Sequence, residues 1–138
     1  MNNNFISITL FSPSDKFDKI SKKLKFSPTS TGIKCESYLI GSKKKVKKTH
    51  KETYWRYEWN RNSSEFIGHM ISQFIKEIII PRKKIFVQLS KSSYLQFQIV
   101  QYYYNSCNPE IVIEKEDNRV LCEIDACLDI DIYCLSDS

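Results

Sequence analysis

Apolar and polar residues alternate strictly along Leu128-Asp129-Ile130-Asp131-Ile132-Tyr133, and a period of two is that of a β-strand. Such a strand buries Leu128, Ile130 and Ile132 on one face and stands Asp129 and Asp131 together on the other, as an acidic stripe. The same period predicts a strand over Phe5 to Phe11, with Ile6, Ile8 and Leu10 inward. Ser12-Pro13-Ser14-Asp15 then has the composition of a helix start: a capping serine, a proline at the first helical position and an acid close behind. Phe17, Ile20 and Leu24 recur at helical spacing, lysines fill the other face, and Pro28 bars continuation.

A weak strand signal covers Lys34 to Ile40, and residues 41–52 are expected to form a mobile lysine-rich loop. Thr53 to Trp59 is a strong strand candidate, with Trp55, Tyr57 and Trp59 on one face. Asn62-Ser63-Ser64-Glu65 opens a second helix. Its stripe of Phe66, Ile67, Met70, Ile71, Phe74, Ile75, Ile78 and Ile79 keeps a 3.6-residue period up to Pro81, which is expected to close it. Burying those eight side chains contributes about 10–20 kcal/mol gross, before conformational entropy is set against it. This is the principal helix.

Beyond it, strands are predicted at Lys84–Ser90 (Ile85, Val87 and Leu89 inward) and Ser93–Tyr104. In the second, inward parity passes from Leu95, Phe97 and Ile99 to Val100, Tyr102 and Tyr104, which implies a bulge near Ile99 or a helical turn over Val100–Tyr104. A short strand at Glu110–Glu114 and a helix over Glu116–Cys127 complete the set. The pattern predicts one α+β domain over residues 1–138. Its sheet is largely antiparallel or mixed, of about six strands, with two or three helices packed on one face.

Charge changes this picture. Residues 1–104 hold 19 Lys/Arg against seven Asp/Glu, whereas residues 105–138 hold two against nine. The two halves either offset one another within the fold or serve different partners. Three glycines leave no material for a phosphate-cradling loop. Five cysteines (Cys35, Cys107, Cys122, Cys127, Cys134) form no Cys-x-x-Cys pair, and His50 and His69 lie far from them. Reduced thiols in a cytoplasmic protein are expected, with no metal, no cofactor, no secretory leader and no membrane span.

The order of certain residues resembles a known family. Leu24-Lys25-Phe26-Ser27-Pro28-Thr29 is followed by Gly32, a tryptophan strand, a long amphipathic helix and finally Leu-Asp-Ile-Asp-Ile-Tyr. This arrangement is similar to an uncharacterised bacterial domain-of-unknown-function family, DUF4279-like, over nearly the whole chain. Members of such families turn up as immunity proteins beside polymorphic and contact-dependent toxins. The resemblance therefore implies a cognate protein toxin, a nuclease among the options, as partner. The lysine loop 43–51 is not part of the family pattern.

No catalytic residue is assigned, because the acids have no partner group for acid–base work nearby in sequence. Glu123, Asp125, Asp129 and Asp131, with one of the consecutive tyrosines represented by Tyr103, form the candidate partner surface. The alternative is a nucleic-acid accessory protein using Lys43, Lys44, Lys45, Lys47, Lys48 and Lys51 beside Tyr54 and Trp55. His69 is expected to be partly buried in its helix and His50 to be solvated.

Overall fold

The computed structural model describes residues 3–40, 46–62, 66–104 and 110–136. In chain order it holds β1 (Asn3–Phe11), α1 (Phe17–Leu24), β2 (Ser30–Gly32), β3 (Ser37–Ile40), β4 (Val46–Thr49), β5 (Tyr54–Asn62) and α2 (Ile67–Phe74). A π-helical segment (Ile75–Ile79) and a 3₁₀ turn (Ile80–Arg82) lead into α3 (Lys83–Ser90), followed by β6 (Tyr94–Tyr104), α4 (Lys115–Glu123) and β7 (Cys127–Leu135). The fold is α+β, as expected. Its main sheet has five strands in the order β2-β5-β1-β6-β7, and β3 and β4 form a separate two-stranded ribbon. Every pairing is antiparallel except β6 with β7. A parallel pair needs a crossover, and α4 supplies it.

All helices lie against one face of the sheet. Ile6, Ile8 and Leu10 from β1, Trp55 from β5, and Leu95, Phe97 and Ile99 from β6 form one buried cluster. It also takes in Ile20, Leu24, Ile71, Phe74, Phe86, Leu121 and Ile124 from the helices and the turn after α4. Phe74 is central: its ring meets Trp59 at 5.0 Å and Phe97 at 5.7 Å, both edge-on. Trp55 is fully buried, yet its indole N–H donates to Ser21 Oγ at 3.2 Å.

Several elements differ from the sequence expectation, each for a visible reason. Ser12-Pro13 does not start a helix: Ser12 sits at φ 50° and its N–H donates to Thr53 O at 2.7 Å, so the chain leaves β1 through a bend and the helix begins only at Phe17. Pro81 does not end the long helical run, which continues to Ser90. The carbonyl that a residue-81 N–H would have served, Glu77 O, accepts from Arg82 Nη1 at 3.2 Å, and Ile78 O accepts from the same nitrogen at 3.1 Å. Lys84–Ser90 is therefore helix, not strand; Phe86 and Leu89, three apart, carry the buried face. Of the eight residues in the principal stripe, Phe66 alone is exposed, and of its expected start, residues 63–65 lie outside the described residues.

β6 keeps an unbroken register with β1 and with β7, so no bulge occurs at Ile99 and Val100–Tyr104 is strand. Val100 and Tyr102 simply point to the other face. Glu110–Glu114 is not a strand and has no strand partner among the described residues; Ile111 and Ile113 pack on the core from the helix side. Residues 46–49 of the expected loop form β4 instead. Residues 41–45, and Lys43, Lys44 and Lys45 with them, lie outside the described residues.

Candidate functional site

The motif Leu24–Thr29 proves to be structural. Leu24 is buried, and Lys25 at φ 65° turns the chain out of α1. Phe26 packs on Trp55 and Tyr57 with ring centroids 5.7 and 4.4 Å away, under the Arg82 guanidinium. Thr29 ties the chain to β5: its N–H donates to Arg56 O, and its Oγ1 accepts from Glu58 N at 2.8 Å. These residues serve docking rather than chemistry.

With the helices on one face, the opposite face of the sheet carries the polar strand residues. Registered across it are Glu58, Ser7, Gln98 and Asp129, and beside them Arg56, Thr9, Gln96 and Cys127. Thr9 and Ser7 are buried there by their long neighbours, and Arg56 Nε donates to Thr9 Oγ1 at 2.9 Å. Burial lifts the Glu58 carboxyl above its ordinary range, against the opposing pull of the Arg56 charge.

β7 forms one edge of this sheet, and its outer side has no strand neighbour among the described residues. Asp129 and Asp131 lie on the uncovered face, half-buried, where Gln98 Nε2 donates to Asp131 at 2.9 Å and to Asp129 at 3.4 Å. Tyr102 and Tyr133 stack next to them at 5.1 Å. Leu128, Ile130 and Ile132 do share the face of Phe97 and Ile99, but they are not buried. They stand 40%, 39% and 47% exposed, because the edge strand runs beyond the helix layer.

The other predicted contact residues do not converge on this pair. Glu123, at the end of α4, forms an ion pair with Lys83. Asp125 sits exposed in the turn before β7, at φ 58°. Tyr103 lies on the helix side near the far end of β7, where a hydrogen bond with the Cys134 thiol pushes its phenol up. Tyr102 belongs to the run of consecutive tyrosines expected to reach the surface, but Gln98 and Tyr133 were not singled out in the sequence. The alternation of Gln96 and Gln98 with buried residues was their only signal.

On the two-stranded ribbon, Lys47 and Lys48 stand exposed on β4, and Lys51 follows it. His50 is half-buried rather than solvated, stacked on Tyr38 at 4.3 Å and edge-on to Tyr54 at 5.5 Å. His69 is exposed, edge-on to Phe66. Cys35, Cys122, Cys127 and Cys134 are free exposed thiols; Cys107 lies outside the described residues. Among the described residues, no group of three or more His, Cys, Asp and Glu side chains is placed to hold a metal. No described helix is long and apolar enough to cross a membrane.

Fold and surface together define an α+β domain with a sheet covered on one face and open on the other. The chain belongs to the family described as a domain of unknown function, DUF4279, whose sequence profile matches residues 2–135. No curated protein and no solved structure matches it.

Proposed function

We propose that this domain is a cytoplasmic, non-catalytic binding protein, an immunity protein that neutralises a cognate toxin by covering its surface. One observation carries the reading: β7 is a sheet edge with no outer strand neighbour among the described residues, with carboxylates held ready on one side and exposed aliphatics on the other. An open edge of nine residues offers unused backbone donors and acceptors to an incoming strand. Gln98 holds Asp129 and Asp131 in place before any partner arrives, which lowers the ordering cost of binding.

The occupant is a strand of a basic protein, alternating Lys or Arg with aliphatic residues. A second copy fits poorly: antiparallel pairing of β7 with itself about Ile130 sets Asp129 of each copy opposite Asp131 of the other, and opposed like charges destabilise a sheet. A basic, nuclease-like toxin fits.

The test is co-expression with the product of the adjacent gene. The wild-type chain is expected to restore growth and to co-purify with that product. The D129K/D131K variant is expected to lose at least tenfold in affinity while folding normally. Undiminished protection by this variant, or neighbouring genes without a toxin-like product, would overturn the reading.

A further inference from the structure

The β3–β4 ribbon leans over the open face of the sheet and borders a cleft of about 910 Å³, whose Tyr94 end lies beside Cys127 and within electrostatic reach of Asp129 on β7. Rings of His50, Tyr54 and Tyr94 line it, and Lys48, Lys51 and Arg56 supply its cations. A glycine shapes it: a Cβ at Gly32 would come 2.5 Å from the Tyr54 ring and 2.9 Å from that of His50, so only glycine lets both rings settle there. His50 is held from behind by Tyr38. Tyr94, tilted against Phe11, keeps more than half of its surface free.

No ion pair between described residues uses Lys48, Lys51 or Arg56, and Glu52 is the only carboxylate in the lining. Arg56 is already oriented: Nε is tied to Thr9, and the guanidinium lies 4.9 Å over the Tyr54 ring. Glu58, two residues on, shares its sheet face. Beyond the cleft, a groove of about 510 Å³ runs past Lys47, Lys48, Thr49 and Lys51 and lengthens the basic track.

We infer that this cleft binds a nucleoside phosphate unit, with the base stacked on Tyr94 and the phosphate held by Lys48, Lys51 and Arg56. Ring faces accept any base, and cations at one end select for phosphate. The volume suits a ligand of that size. This inference stands apart from the β7 reading, because the two surfaces share no residue.

The test titrates the full chain with AMP, with a labelled oligo(dA) of about eight nucleotides and with inorganic phosphate, at about 50 mM salt. Saturable binding of AMP or the oligonucleotide is expected, with phosphate alone much weaker. Tyr94→Ala, at an exposed position that leaves folding intact, should weaken it roughly tenfold. For the oligonucleotide, K48A/K51A should flatten the log–log salt slope by about 1.4. Tighter binding of AMP assigns a free nucleotide, and tighter binding of the oligonucleotide assigns a single strand. Either supports the site. Absence of saturable binding by both, binding unchanged in Tyr94→Ala, or phosphate binding as tightly as AMP would overturn it. The Asp131→Lys variant, which keeps Asp129 beside Tyr94, should bind all three like the wild type.

Discussion

Arg82 does at one position what a run of backbone amides would do elsewhere. Its Nε donates to Leu24 O at 2.6 Å and its Nη1 reaches Glu77 O and Ile78 O, so one planar fork carries the helical run past Pro81 and pins α1 to it. Arg82→Ala should therefore cost about 2–4 kcal/mol in urea unfolding, and Arg82→Lys should recover only a fraction; full recovery would show that charge alone matters. Gly32→Ala should cost about 1–3 kcal/mol, because the Tyr54 and His50 rings must move. Glu58 sets a pH dependence. Its raised folded value means that the folded form holds this proton more tightly than the unfolded chain does. The penalty for ionising it is absent below the unfolded value and complete above the folded one. Glu58→Gln should thus raise Tm slightly at neutral pH and leave it unchanged below about pH 4. A shift of equal size at both pH values would count against burial as the cause.

At the scale of the element, two neighbouring strands with similar patterns have opposite fates. β6 is buried at Leu95, Phe97 and Ile99, while β7, paired with it residue for residue, leaves Leu128, Ile130 and Ile132 in solvent. Ile99→Ala should cost about 2–5 kcal/mol and Ile130→Ala less than about 1 kcal/mol; comparable losses would mean that β7's apolar row is covered in solution. Periodicity identified both strands and the shared face of Leu95, Phe97, Ile99, Leu128, Ile130 and Ile132, though it misplaced a parity switch after Ile99. It carries no information on how far the helix layer extends over a strand, which decides burial. The same limit explains Lys84–Ser90, where alternation at Ile85, Val87 and Leu89 mimicked a strand although Phe86 and Leu89 also satisfy a helix.

Across the whole molecule, β1 is the strand around which the rest assembles: it pairs with β5 and β6 along almost its entire length. Amide exchange should therefore be slowest in β1 and β6 and fastest in the β3–β4 ribbon, which rests on its own short pairing and on contacts at His50. Uniform protection would contradict that hierarchy. The split of basic and acidic residues along the chain is partly offset within the fold: Lys83 of the basic part pairs with Glu123 of the acidic part, while Lys47, Lys48 and Lys51 stay together by the ribbon. The linear chain was sufficient for the α+β class, the inward sides of β1 and β5 and the long apolar stripe, because those depend on residue spacing alone. Folding decided the rest. Gln98 between Asp129 and Asp131, Arg82 in place of the amide that Pro81 lacks, and the cleft built from residues 32 to 94 all join positions distant along the chain. Such contacts arise from which strand lies beside which, and local periodicity does not encode that order.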